Sequence, residues 1–339
     1  HGTFIMSMAL WGTVAGALVA GYPTDKFGRK NTLIAIGFLY LISAIGCAFA
    51  PEPYTFSFFR FVGGLGVGIS SIAAPTYISE ISSPKNRGTL GTLYQFNIVF
   101  GIVVAYLSNF LLKGVGGADD WRYMMGAVAV PSVAYIILMF GVPESPRWLF
   151  SHKKDEQKAL EVLKKTEAEH EALATLADIK TDFLANVQNT DGLFSKRYKF
   201  PLILAFLIAT FNQLSGINFI LYYAPEILEK AGFASSESLL SSIAIGIVNL
   251  LFTFLGMYLI DRAGRKQLMY WGSYGYIISL FMVAYGFYSG ASAAFNLTFI
   301  LLFIASHAIG QGAVIWVFIS EIFPNKVRAA GQAFGSSVH

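Results

Sequence analysis

The chain has 339 residues, of which 55% are hydrophobic, 15% aromatic and 13% charged. Soluble globular proteins carry about 25% charged residues, so this composition excludes an ordinary soluble domain and reads as an all-α, multi-span membrane protein. The net charge of +4 would suit a nucleic-acid partner only if the cations clustered for that purpose, and their placement below follows membrane topology instead.

Apolar runs long enough for a bilayer, about 20 residues, predict nine spans: 2–22, 31–50, 54–80, 88–112, 122–142, 199–226, 239–260, 267–288 and 296–320, with a stub from 329. The first is followed by Asp25-Lys26-Phe27-Gly28-Arg29-Lys30. The second holds Cys47, the sole cysteine, which rules out an internal disulfide and reads as a packed thiol. The third carries Arg60, a charge costing at least about 2.5 kcal/mol in a span and so in need of an acidic partner. It also carries glycines 63, 64, 66 and 68. No strand precedes them and no Lys-Ser/Thr follows, so close helix packing is expected rather than a phosphate loop. The fourth span contains Gln95.

Residues 144–198 differ, being rich in Lys and Glu with apolar residues at helical spacing (Leu160, Val162, Leu163; Leu173, Leu176, Ile179). They predict short amphipathic surface helices. The span at 199–226 is the most polar: it contains Asn212, Gln213, Ser215, Asn218, Tyr222 and Tyr223. An unpartnered buried amide costs about 2–7 kcal/mol, so these groups need partners, a wet cavity or a ligand. On an unbroken helix Gln213 and Asn218 would point about 140° apart. A break at Ser215-Gly216 would bring Gln213 to the face shared by Asn218 and Tyr222. Broken helices at membrane depth are where transporters place substrates, whereas the plainer reading is amide glue between helices. Asn249 is the lone amide of its span, and 296–320 carries His307, Gln311, Gly312 and Trp316.

Of the 24 Lys and Arg residues, only Arg60, Lys113, Arg122 and Lys230 fall off one side of this alternation. The positive-inside rule makes that basic side cytoplasmic. An internal repeat is also visible. Asp25 to Lys30 recurs as Asp261-Arg262-Ala263-Gly264-Arg265-Lys266, and Ser79-Glu80-Ile81 with Arg87 recurs as Ser320-Glu321-Ile322 with Arg328. Two homologous halves follow: a bundle over 1–143, linker helices over 144–198 and a second bundle over 199–339. The repeat predicts a parent of six plus six spans, of which this chain lacks the first helix and the last one to two.

Together these motifs resemble the sugar porter family of the major facilitator superfamily, over essentially the whole chain. The resemblance also rests on Arg60 before Gly63-Gly64, Pro75 to Glu80, Arg87-Gly88, Pro143-Glu144-Ser145-Pro146-Arg147-Trp148-Leu149 and Ser320 to Pro324. It implies two six-helix bundles, a central sugar site and alternating access. It implies substrate contacts at Gln95, Gln213, Asn218, Tyr222 and Asn249, a stacking Trp316 and a close-approach Gly312. Asn212 stands where many members carry a second Gln, and Asn212 and His307 are expected among the substrate-binding residues. Amides can bridge neighbouring sugar hydroxyls, and aromatic faces can cover C–H patches. His307-Ala308-Ile309-Gly310 and Ser337-Val338-His339 resemble the fructose-carrying branch of animal facilitators, and His339 falls where others place a sugar-contacting Gln. A hexose is therefore expected, leaning to fructose, with pentose or polyol as alternatives. Ala313 departs from the Pro that many members carry there.

Asp25, Arg29, Glu80, Arg87, Glu144, Arg147, Asp261, Arg265, Glu321 and Arg328 are implied to form a gating network, read from the sequence as exposed pairs worth about 0–1 kcal/mol each. Arg60 is the proton-coupling candidate, because proton-coupled members pair it with an Asp on the first helix. The carrier is expected to be either a proton symporter or a facilitator, so its partners are a monosaccharide, the bilayer and, in the symport case, protons, with the chain a monomer. No cofactor, metal cluster or nucleophile–base arrangement is expected, so the chain does not read as an enzyme. Competing readings are a sugar sensor of the same fold and an efflux carrier, the latter disfavoured by the amides.

Overall fold

A computed structural model describes residues 2–82, 87–187, 193–323, 327, 331, 334, 335 and 338. The described residues form helices and contain no strand. In order these are α1 (Gly2–Val19), α2 (Gly21–Lys26), α3 (Arg29–Phe49), α4 (Pro53–Ile81), α5 (Arg87–Leu112), α6 (Asp120–Gly126), α7 (Ala129–Gly141), α8 (Pro146–Ser151), α9 (Glu156–Thr166), α10 (Glu169–Val187), α11 (Lys199–Leu214), α12 (Ile217–Tyr222), α13 (Ala224–Lys230), α14 (Ser235–Ala263), α15 (Arg265–Ser289), α16 (Ala293–His307) and α17 (Ala313–Ile322). A π-helical turn, Ala308–Gly312, joins the last two. Each predicted span corresponds to one helix or to a run of consecutive helices. Among the described residues, however, seven helical stretches are both long and apolar enough to cross a bilayer, against the nine spans expected. The apolar part of α1 is short, and tyrosines and glycines dilute α15.

The chain packs as two compact units, residues 1–91 with 113–192 and residues 92–112 with 193–339. This grouping differs from the division expected at 143 and 198. Residues 92–112 belong to the second unit, and the linker helices α8 to α10 belong to the first.

In the first unit, α1 and α4 meet along a glycine seam. A methyl group on Gly12 would strike the Phe61 carbonyl, and one on Gly64 would strike the Ala9 carbonyl. Gly68 lies equally close to the Thr13 carbonyl, while Gly63 and Gly66 face Ser43 and Tyr40 of α3. Small residues allow backbones this close, so dispersion acts between the main chains themselves. On the other side of α4, Leu33, Ile36, Ala73, Tyr77 and Met139 form a core joining α3, α4 and α7. Cys47 is 2% exposed. The linker helices bury Ala159, Leu163, Ala172, Leu176 and Ile179 against Leu149 and Phe150, which is the amphipathic pattern read from the sequence. The Asp155 carboxylate opens α9 by accepting from the Lys158 backbone N–H at 3.0 Å.

In the second unit, Ile217, Ile220, Ala224, Leu228, Ile245, Ile300, Phe303 and Ile304 form the main core, with Tyr106 of α5 among them. Gly272 of α15 and Gly310 of the π turn touch closely: a methyl group on either would fall 2.7 Å from the other's Cα. The sequence repeat has a conformational counterpart. Gly28 precedes α3 at φ 94°, ψ 164°, and Gly264 precedes α15 at φ 83°, ψ 155°. Only glycine adopts this backbone region readily, so both Asp-x-x-Gly-Arg segments make the same turn into a helix.

Candidate functional site

The polar helix is broken where its sequence suggested. α11 ends at Leu214, Gly216 takes φ +83°, and α12 begins at Ile217. The Ser215 hydroxyl donates to the Asn212 carbonyl at 2.6 Å, satisfying an acceptor at the end of α11. Across the break, the Asn218 amide donates to the Gln213 side-chain carbonyl at 2.7 Å. This hydrogen bond ties the two amides together across the break. Tyr222, four residues beyond Asn218, is 54% exposed.

A second discontinuity lies beside the first. α16 closes at His307 and continues as the π turn. π turns in α-helices occur frequently at functional sites. The His307 imidazole is 6% exposed and pairs through Nε2 with Oδ1 of Asn212, itself 3% exposed, at 2.9 Å. With Oδ1 as acceptor, Nε2 carries the proton. Rings of Tyr276 and Phe303 flank the imidazole at centroid distances of 6.5 and 6.3 Å. Four residues on, the Gln311 amide donates to the Ser273 hydroxyl at 3.2 Å. His307 and Gln311 are thus both tied to neighbouring helices. The chain is wider here, and a methyl on Gly312 would lie 3.7 Å from Nδ1 of His307.

Asn249 is buried on α14, and Gln95 is half-buried on α5. Beside Gln95, Phe96 packs its ring 5.4 Å from that of Phe254 on α14. Gln95, Asn212, Gln213, Asn218, Tyr222, Asn249, His307 and Gly312 all belong to the second unit. The side chain of Trp316 and all of His339 lie outside the described residues.

The charged motifs of the first unit build one compact cluster. Arg29 is 9% exposed. Its guanidinium donates to both Glu80 oxygens at 2.9 and 3.0 Å, to Asp25 at 3.1 Å and to the Thr24 carbonyl at 3.1 Å. The Glu144 carboxylate accepts the first backbone N–H groups of α3, Arg29 at 3.0 Å and Lys30 at 3.1 Å, where the helix dipole favours a negative charge. Gly28 makes the room: a side chain there would run into Glu144. The Ser145 hydroxyl donates to Glu80 and in turn accepts from the Trp148 backbone N–H. The Trp148 indole donates to the Asp25 carbonyl at 2.7 Å.

Two expectations need correction. Arg29 and Glu80 are not an exposed pair: burial between α4 and α8 puts the fork-to-carboxylate contact in a low dielectric, where pairing matters far more. Arg147 pairs with Asp182 of α10 at 3.4 Å, so the linker helices occupy it. Arg265 reaches the Ile260 carbonyl at 3.4 Å. Side chains of Arg87, Asp261 and Glu321, and all of Arg328, lie outside the described residues. The Arg60 Nε is buried without a hydrogen-bond partner among the described residues.

Sequence reasoning missed Ser145 and Tyr106. The Tyr106 hydroxyl of α5 donates to the Leu221 carbonyl of α12. The signal available was Pro225, which cannot donate to that carbonyl.

Comparison with known proteins bears on the whole chain. The profile of the family described as "Sugar (and other) transporter" matches residues 2–339. The D-xylose-proton symporter of Escherichia coli (strain K12) is 33% identical over 353 residues, an alignment covering 97% of this chain and 72% of that protein. The glucose facilitated diffusion protein of Zymomonas mobilis is 32% identical, over 97% of this chain and 72% of its own. The solved structure of the xylose transporter XylE from E. coli, in a partially occluded inward open conformation, superposes with a TM-score of 0.86 at 31% identity, covering 98% of this chain and 78% of that one.

Proposed function

This chain belongs to the sugar (and other) transporter family, and from that premise we propose that it carries a monosaccharide through the bilayer by alternating access. It has the major facilitator fold, is a multi-pass membrane protein, and is a carrier rather than an enzyme. The observation that carries the proposal is the amide pair at the broken helix, Gln213 bonded to Asn218 across Gly216. A sugar ring needs a few convergent donors and acceptors beside an aromatic surface. Gln213 and Asn218 supply the first, and the exposed ring of Tyr222 supplies the second. Gln95 and Asn249 complete the proposed contacts, with Trp316, Gly312 and His339 carried by the family resemblance.

In this reading His307 and Asn212 support the site from behind, holding the π turn against the end of α11. The lean toward fructose rests on His307-Ala308-Ile309-Gly310 and Ser337-Val338-His339. The named relatives handle xylose and glucose, so a pentose or another hexose competes. The unpartnered Nε of Arg60 favours a coupling role, and proton symport is the reading it supports. The charged clusters at the basic helix ends act as a latch biasing one access state over the other.

The test is uptake of labelled fructose, glucose and xylose into proteoliposomes, with and without an inward proton gradient. Accumulation above equilibrium under the gradient is expected. Gln213→Ala should abolish uptake with the protein still in the membrane; unchanged sugar affinity in that variant overturns the site.

A further inference from the structure

The hydroxyl of Tyr106 occupies a place that chain chemistry leaves empty. In an unbroken helix the Leu221 carbonyl would accept the N–H of residue 225. Residue 225 is proline, at the start of α13, and has no N–H to give. Buried carbonyls are rarely left unpaired. Tyr106, reaching across from α5, donates to that carbonyl.

The fit is built rather than incidental. Tyr106 is 9% exposed and packed in the core that contains Ile217, Ile220, Ala224 and Leu228, the inward residues of α12 and α13. Gly246 of α14 gives its ring room, since a methyl there would lie 3.1 Å from Tyr106 Cδ2. The segment it holds starts after the Gly216 break and contains the proline step at which the Leu221 carbonyl loses its helical partner. Asn218 and Tyr222 ride on this segment.

We infer that Tyr106 is a positioning residue for the transport site: its hydroxyl substitutes for the missing N–H of Pro225 and pins α12–α13, and thereby Asn218 and Tyr222, in register. This rests on the sugar-carrier reading for its functional half only.

The experiment is a cycle of Tyr106→Phe and Pro225→Ala in the full chain. Two readouts are taken, amide hydrogen exchange over 217–230 in detergent micelles and the KM for labelled xylose, glucose and fructose in proteoliposomes. Tyr106→Phe keeps the ring and removes only the hydroxyl. It should speed exchange in this segment about tenfold, the scale of one lost hydrogen bond to a buried acceptor. It should also raise KM while leaving the amount of protein in the membrane unchanged. In a Pro225→Ala background the new N–H can serve Leu221, so adding Tyr106→Phe should change neither readout by more than about twofold. Unchanged exchange in the single variant overturns the inference, and so does an equal rise in both backgrounds. If the exchange cycle behaves as expected but no sugar crosses even with the unaltered protein, the carrier reading fails while the tyrosine–proline complementarity stands.

Discussion

The side-chain amide of Asn218 donates to the side-chain carbonyl of Gln213 at 2.7 Å across a single left-handed residue, Gly216. On a continuous helix these residues would diverge by about 140°. The bond exists because the chain turns between them, and the turn depends on a residue without a Cβ.

Gly216→Ala therefore tests the turn alone. No neighbouring atom lies within 4 Å of the position a methyl would take, so any effect comes from the backbone. A left-handed conformation costs a non-glycine residue about 1–2 kcal/mol. Sugar affinity, measured by calorimetry on purified protein, should fall about tenfold. Gly216→Asn should lose less, because asparagine tolerates this region better.

The Arg29 cluster makes a contrast between two arginines. Arg29→Ala leaves Glu80 buried without its fork and should destabilise the protein by about 3–5 kcal/mol. Arg147 pairs with Asp182 at 3.4 Å through side chains that are 39% and 60% exposed. Arg147→Ala should change stability by less than about 1 kcal/mol. Thermal unfolding in one detergent, with both variants side by side, reads the difference; similar losses would argue that Arg29 is not held as described.

The glycine seam predicts opposite signs for one substitution at two places. Gly64→Ala forces a methyl into the Ala9 backbone, and overpacking of this kind costs about 1–3 kcal/mol. Gly101 lies inside α5, and nothing comes within 4 Å of where a methyl on it would sit. Gly101→Ala should be neutral or stabilising by about 0.5–1 kcal/mol through lower unfolded-state entropy. Apparent melting temperatures should move down for the first and stay level or rise for the second.

Asp155 gives a pH prediction outside the membrane. The backbone N–H of Lys158, and then its side chain, hold the Asp155 carboxyl below its ordinary value. A depressed folded pKa means the cap contributes fully above the usual carboxylate range and is lost as pH falls through the depressed value. Exchange of the first amides of α9, corrected for intrinsic rates, should accelerate as the pH drops below the carboxylate range. Asp155→Asn, which still accepts a hydrogen bond, should remove that pH dependence.

The helical spans were legible because bilayer length and apolar composition leave few alternatives, and even the break after Leu214 could be read from two amides needing one face. The linker core was legible from the spacing of Leu160, Val162, Leu163, Leu173, Leu176 and Ile179, of which Val162, Leu163, Leu176 and Ile179 are buried while Leu173 is 51% exposed. Two features were less so. The π turn was legible only as a possible bend at Gly310 and Gly312; Ala308, Ile309 and Gln311 suit an α-helix equally well, so its π geometry was not. The packing of α5 with the second unit depends on tertiary contacts such as Phe96 with Phe254, which an assignment by repeat cannot foresee. Burial of the Arg29 pair was missed for a similar reason: its depth comes from Ser145 and Trp148, which bond Glu80 and Asp25 from 65 and 123 positions away in the chain.

Cys47, sealed in the first unit, makes the protein its own blank for thiol chemistry. It is the chain's one sulfhydryl and shows 2% of its surface. A cysteine placed on the exposed face of Tyr222 or on the surface of α10 would then be the one accessible thiol that these 339 residues offer a maleimide dye. Distances followed by such dyes during a transport cycle could be attributed to the introduced positions without first stripping the native sequence.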